Sequence, residues 1–292
     1  MSLTDLQKEQ RRSYVCGSDA AVICGLSPYK NQVELWQEKL GLIQERDISN
    51  NPYVKAGNFL ENAILKWFAH DTGLVCWHET EMLYCDEIQD QEFMAANIDG
   101  WVKTPEGMCV LEIKTASSDI GWGESGGCQI PDHYLLQVTH YMAVTGCPKA
   151  YVAVLIRGVD FRYYIIDRNE KLEEILIEKE SRFWECVKNQ VPPDPTTGAE
   201  IISLHGFKCI DESVVADGEI HDCITRLRDV KKDIDDLSKA KEELEDKIKV
   251  FMGQNDTLID LYGKVAATWK SPGKDSEFDK PRRFLVKKIE GL

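Results

Sequence analysis

The chain has 292 residues, 43% of them hydrophobic and 29% charged, and its 50 acidic against 35 basic side chains give a net charge of −15. This describes an ordinary soluble globular protein of one large or two small domains. No run approaches the roughly 18 uninterrupted apolar residues of a membrane span. The opening Met1-Ser-Leu-Thr-Asp5 lacks a basic-then-apolar signal pattern, and the ten cysteines contain no Cys-x-x-Cys pair. They read as reduced, mostly buried thiols of a cytoplasmic protein.

In chain order, residues 3–12 read as a short helix, followed by helices over 18–25 and 31–41 split at Ser27-Pro28. A longer helix spans about 54–72 and ends near Gly73. Val75–Tyr84 and Phe93–Thr104 read as strands, the second passing through Asp99, and Met108–Ala116 as the central strand. Residues 117–130 are glycine-rich and are expected to form a mobile loop, with Trp122 anchoring it to the core in preference to stacking on a base. A helix over Pro131–Gly146, a hairpin of Lys149–Ile156 with Phe161–Asp167, and a helix over Asn169–Asn189 lead to Pro192-Pro-Asp-Pro195. A run of strands flanked by helices implies an α/β core with a mixed central sheet.

From Ile220 apolar residues recur at alternating spacings of three and four: Ile220, Cys223, Leu227, Val230, Ile234, Leu237, then Leu244, Ile248 and Phe251, with Lys241 interrupting the seam. This predicts one long helix over about 218–252. Thr257–Trp269 reads as two short strands turning at Gly263, and Arg282–Lys288 as a basic last strand. The division expected is a first domain over 1–200 and an extension over 201–292.

The chemistry concentrates in Asn97-Ile-Asp-Gly100 and Val110-Leu-Glu-Ile-Lys-Thr115. Successive side chains of a strand point to opposite faces, so Glu112 and Lys114 share one and Ile113 takes the other. Mg2+ prefers hard oxygen donors and takes few carboxylates from a protein. Asp99, Glu112 and the backbone carbonyl of Ile113 would supply them, with Mn2+ an acceptable substitute. Lys114 would orient or deprotonate an attacking water or stabilise charge on a phosphate. Glu61 and Gln137 would complete the pocket from two helices. On its own, Glu-x-Lys on a strand is commonly just a solvated pair. His140, three residues after Gln137, reads as a packing histidine.

Several segments resemble, in order, the PD-(D/E)xK nuclease superfamily and, more narrowly, the YqaJ-type phage and prophage exonucleases related to lambda exonuclease. They are Arg11 through Ala21, Gly25-Leu-Ser-Pro-Tyr-Lys30, Leu35-Trp36 with Lys39-Leu-Gly41, Gly57 through Glu61, Asn97 through Gly100, Leu111 through Thr115, and Tyr134 through Tyr141. Cys16 stands where that family usually has glycine. The likeness covers about residues 10 to 195. It implies a restriction-endonuclease-like core, metal on Asp99, Glu112, the Ile113 carbonyl and Glu61, Lys114 as the catalytic lysine, and Gln137 beside the scissile region. It further implies that Ser18, with Arg11 or Arg12, binds a terminal 5′-phosphate; the alternative for Ser18 is a plain helix N-cap. The activity implied is Mg2+-dependent 5′-to-3′ digestion of linear double-stranded DNA, leaving 3′ overhangs. A homotrimeric ring and a single-strand annealing recombinase are the implied partners, in the host bacterial cytoplasm if the gene is phage-borne.

The net charge runs against a DNA-binding surface, which gains affinity by neutralising phosphates. Metal reverses the sign locally, and much of the excess lies in Glu170–Glu185 and Asp229–Asp246. The rival readings are a PD-(D/E)xK endonuclease, a non-catalytic DNA-binding or assembly module, and a coiled-coil adaptor built on a nuclease scaffold.

Overall fold

The computed structural model describes residues 5–85, 91–206, 210–270 and 283–287. By internal contacts the chain divides into two compact units, Met1–Cys209 and Ile210–Leu292.

The first unit opens with α1 (Asp5–Arg12), β1 (Val15–Cys16), α2 (Gly17–Ile23), α3 (Gln32–Lys39) and α4 (Pro52–Thr72). Cys16, not Ser18, is the cap residue of α2, and its N–H donates to the Asp19 carboxylate at 3.0 Å. Asn31 caps α3 and Asn51 caps α4, each accepting a backbone N–H, while Gly73 ends α4 in the left-handed region at φ 70°. Then follow β2 (Val75–His78), β3 (Leu83–Tyr84), β4 (Met94–Ala96), β5 (Gly100–Thr104), β6 (Gly107–Ala116), α5 (Asp132–Thr145), β7 (Lys149–Ile156), β8 (Asp160–Asp167), α6 (Glu170–Lys188) and α7 (Gly198–His205).

The main sheet has five strands in the order β2-β5-β6-β7-β8, all antiparallel neighbours except the parallel pair β6 and β7. α5 makes the crossover that a parallel pair requires. Both faces are covered. Ile64, Leu65 and Phe68 of α4 pack on Val102, Leu111, Ile113, Ala153 and Leu155, whereas Val138 and Met142 of α5 join Val110, Val152, Val154 and Ile156. This is the mixed, helix-flanked sheet expected from the pattern of elements. The alternation along β7 assigns successive residues to opposite cores, so its near-continuous apolar run is the signature of a strand buried on both sides.

The two long strands expected over Val75–Tyr84 and Phe93–Thr104 are each divided. β3 and β4 belong to a second sheet, β1-β4-β3, and only β2 and β5 join the main one. The chain changes sheet through Asn97–Asp99 and resumes at Gly100, where a Cβ would lie 2.4 Å from the Trp77 carbonyl oxygen. Only glycine permits β2 and β5 to approach this closely, so the position after Asp99 is fixed by backbone packing.

The glycine-rich segment 117–131 is tied to the sheet, against the expectation of a mobile loop. Gly126 N–H donates to the Tyr163 carbonyl at 2.7 Å, Ile165 N–H to Gly127 at 2.9 Å, and Arg162 and the Tyr164 hydroxyl both donate to the Gly123 carbonyl. Trp122 is buried between Tyr134 and Tyr164, the anchoring role read from its sequence context. His140 is a packing histidine: buried, it bonds Glu180 through Nδ1 at 2.9 Å and donates from Nε2 to the Ala95 carbonyl at 3.0 Å.

The second unit consists of α8 (Gly218–Met252), capped by Asp217, and a small antiparallel sheet in the order β11-β10-β9, from β9 (Thr257–Ile259), β10 (Val265–Lys270) and β11 (Arg283–Val286). Among the described residues Met252 and Ala267 are its buried apolar side chains, and the Lys249 ammonium lies 5.4 Å from the Phe284 ring centre. Along α8 the apolar seam is uncovered: Leu227, Val230, Ile234, Leu237 and Leu244 are all exposed. Arg282 and Lys288, the ends of the expected basic strand, lie outside the described residues. Among the described residues the cysteines are free thiols, and no helix is long and apolar enough to cross a membrane.

Candidate active site

β6 extends past β5. The last paired residues are Gly100 and Leu111, and beyond them β6 keeps only β7 as a neighbour. The vacated ladder position is taken by a side chain: Ile113 N–H donates to the Asp99 carboxylate at 2.7 Å. N–H and C=O of one residue point to the same edge of an extended strand, so the Ile113 carbonyl faces the Asp99 side as well.

On the α5 face of the same strand Glu112 is 2% exposed. One of its oxygens, Oε1, receives the Lys114 ammonium in a short contact and the Gln137 amide at 2.8 Å. Its other oxygen, Oε2, is buried and has no hydrogen-bond partner among the described residues. Burial and the facing Asp99 carboxyl push the Glu112 carboxyl up to about 8, against the pull of Lys114. Burial, with some help from the Glu61 charge, also raises Asp99. Burial alone would lower Lys114, but the charges of Glu112 and Asp99 outweigh it and hold the ammonium above its ordinary value. A buried carboxyl whose charge its neighbour Asp99 disfavours, with one oxygen lacking a partner among the described residues, is an arrangement that a bound cation would relieve. Hard oxygen donors of this kind fit Mg2+, which needs few protein ligands. Among the described residues no three His, Cys, Asp or Glu side chains converge, and the oxygens that could serve such an ion are the Asp99 and Glu112 carboxylates and the Ile113 carbonyl.

Glu61 approaches from α4, the opposite face. Its carboxylate lies 3.5 Å from His78 Nδ1, which is also 3.1 Å from the Asp99 carbonyl. Both neighbours are acceptors, so Nδ1 carries the proton. His78 thus ties Glu61 to the Asp99 backbone. Nothing in the sequence around β2 singles it out.

Gln137 uses its amide twice, donating to Glu112 and, at 2.8 Å, to the Tyr141 hydroxyl, which donates in turn to the Asn97 carbonyl at 2.8 Å. One turn of α5 therefore braces both the Glu112 carboxylate and the turn before Asp99. Tyr134, a turn earlier, places its ring 4.9 Å from the Lys114 ammonium, a cation–π contact. Sequence reading of the chemistry missed both tyrosines as participants, although they frame the Tyr134-to-Tyr141 segment.

Ser18 and Arg11 come together, the Arg11 guanidinium reaching the Ser18 hydroxyl at 2.5 Å, whereas Arg12 is exposed. This pair connects to the carboxylates through one close approach: a Cβ at Gly17 would fall 2.3 Å from the Tyr141 ring.

Residues 8–148 match the model of the YqaJ-like viral recombinase domain. The uncharacterised protein YqaJ of Bacillus subtilis (strain 168) is 30% identical over 272 residues, spanning 89% of this chain and 81% of that protein. The chain belongs to the YqaJ family. Solved structures with a similar fold include an alkaline exonuclease from Laribacter hongkongensis (17% identity, TM-score 0.48, 64% of this chain and 94% of that one). A putative exonuclease from Eubacterium rectale is similar at 10% identity and TM-score 0.49, over 74% of this chain and 97% of that one. Arg11, Gly17, Ser18, Glu61, His78, Asp99, Glu112, Lys114, Tyr134, Gln137 and Tyr141 all lie inside the matched YqaJ segment.

Proposed function

We propose that this YqaJ-family protein is a metal-dependent deoxyribonuclease that digests linear double-stranded DNA from its 5′ ends, leaving 3′ overhangs for recombination by single-strand annealing. The observation that carries the reading is the buried Oε2 of Glu112 beside Asp99, which has no partner among the described residues, with the Lys114 ammonium on the other oxygen. Asp99, Glu112 and the Ile113 carbonyl would hold the metal, with Glu61 at its far side. Bound there, Mg2+ or Mn2+ would lower the pKa of a water and offset charge on the scissile phosphate.

The chain's own residues do the rest. Lys114 donates to the attacking water or to a phosphate oxygen from a rigid strand. Gln137 fixes the Glu112 carboxylate so that its free lone pairs keep one direction, and Tyr134 limits the swing of Lys114. Arg11 and Ser18 offer two adjacent donors to a terminal phosphate, which selects an end over an internal position. In this reading the protein acts as a homotrimeric ring with an annealing recombinase as its partner, in the bacterial cytoplasm.

The test is digestion of a linear duplex carrying a 5′-phosphate, labelled at either end, beside a closed circle, with Mg2+, by wild type and Lys114→Ala. Loss of the 5′-labelled strand that vanishes in the variant supports the reading. Cleavage of closed circles assigns the centre to an endonuclease. A folded wild type that leaves every substrate intact removes the enzymatic reading and favours a binding module.

A further inference from the structure

Lys39 is the last residue of α3, and its ammonium is engaged entirely by groups that support the Arg11–Ser18 pair. It is 5% exposed as a side chain and has three partners: the Arg11 carbonyl at 2.7 Å, the Tyr14 carbonyl at 2.5 Å and the Asp19 carboxylate at 2.7 Å. An ammonium has three donors, so none is left for substrate. The same Asp19 oxygen accepts the Cys16 N–H at 3.0 Å. The segment that ends α1 and carries Arg11 is thereby joined to the first turn of α2, which carries Ser18.

This pair is an expensive way to hold two segments together. A buried ion pair gains little net stability over well-packed apolar side chains, and its best attested use is to fix one arrangement. Here the arrangement fixed is that of two phosphate donors. Charge adds a second reason. Asp19 is adjacent to Ser18, and an uncompensated carboxylate there would repel a phosphate. Burial would push the Asp19 carboxyl up, but Lys39 and Arg11 together hold it below its ordinary value, so it is ionised and compensated.

We propose that Lys39, acting through Asp19, is a positioning residue for recognition of the 5′-terminal phosphate: it sets Arg11 against Ser18 and cancels the Asp19 charge beside them. The proposal rests on the reading of Arg11 and Ser18 as the phosphate seat.

The experiment compares affinity for duplexes ending in 5′-phosphate and in 5′-hydroxyl, by fluorescence anisotropy without divalent metal, and initial digestion rates on the same pair with Mg2+. Wild type, Arg11→Ala, Lys39→Met and Lys39→Arg are measured. A charge-assisted hydrogen bond contributes enough that Lys39→Met is expected to lower the phosphate-to-hydroxyl ratio about tenfold or more, chiefly through KM, with partial recovery in Lys39→Arg. Adding Lys39→Met to Arg11→Ala should then change the ratio no further. An equal loss on both ends, or an unchanged ratio while Arg11→Ala abolishes it, overturns the positioning role and leaves the seat standing. A ratio insensitive to Arg11→Ala removes the seat itself. Should Lys39→Met fail to fold, Lys39→Gln, which likewise leaves the Asp19 charge uncompensated, is read by the same ratio and decides in the same way.

Discussion

The two units break the same packing rule in opposite directions. Around β6 the first unit buries charge: Glu112 is enclosed under α5, Asp99 and Lys114 are partly buried beside it, and among the described residues one Glu112 oxygen has no hydrogen-bond partner. Along α8 the second unit exposes apolar surface, with Leu237 70% and Leu244 60% accessible. Buried polar groups are normally satisfied and long apolar stripes normally covered, so departures from either mark places where sequence serves something other than folding. The difference is what each lacks. The carboxyl pair offers oxygens that, in the reading proposed above, a small cation would complete. The seam is flanked by charges of both signs, which keeps it in water without dictating what lies on it.

The contrast is broken most severely at Lys114 and Glu112. Lys114→Ala is expected to lower the digestion rate about a thousandfold, as loss of a preorganised charge does. Glu112→Gln should be equally inactive, yet should raise the Tm of the metal-free protein, because it removes the charge that Asp99 opposes. A Glu112→Gln variant that melts lower than wild type would show that the carboxyl pair is a structural ion-pair network and nothing more.

The pH dependence sharpens the same point. Glu112 is held at about 8 in the folded protein, above its unfolded value of about 4.3. Its burial is therefore harmless below about pH 4.3 and costs stability as pH rises toward 8. Metal offsets that cost, so the rise in Tm on adding Mg2+ should be larger at pH 8 than at pH 6, and the difference should be absent in Glu112→Gln.

Gly17→Ala comes next. Its methyl group would collide with Tyr141, which cannot retreat while it bonds Asn97 and Gln137, and a loss of about 1–3 kcal/mol in denaturant unfolding is expected. His140 supplies a smaller effect of opposite origin. Burial works to lower its pKa, but the Glu180 carboxylate raises it, so the pair stabilises below about pH 6.5 and this contribution fades as pH climbs through the raised value. Glu180→Gln should remove that portion of the slope in stability against pH. Smallest is Leu237→Lys on α8, expected to change monomer stability by no more than about 0.5 kcal/mol, since the side chain already stands in water.

The elements with a strong period were legible in the sequence: α4, α5 and α6 by their apolar stripes, and β7 by its near-continuous apolar run. The Glu-x-Lys strand was legible because a period of two admits only one way to share a face. Three things were not. The division of Val75–Tyr84 between two sheets depends on how far apart His78 and Leu83 are carried, a tertiary outcome that propensity does not record. α7 follows a proline-rich stretch and is only eight residues long, so its capping Thr197 and Glu200 were the signal available. His78 and Tyr141 act through long-range hydrogen bonds, to Asp99 and Asn97, that have no local pattern at all. The choice between Arg11 and Arg12 was likewise a matter of which way one turn of α1 faces.

The tie between segment 123–127 and β8 has a consequence outside the chemistry. β8 is the last strand of the main sheet on its side, and a bare last strand offers a row of free N–H and C=O groups to any other extended chain. Gly126 and Gly127 occupy part of that row, bonding Tyr163 and Ile165. The segment that brings Trp122 against the core thus also guards the sheet against edge-to-edge association. Substituting prolines for these glycines would be felt first as loss of solubility during folding.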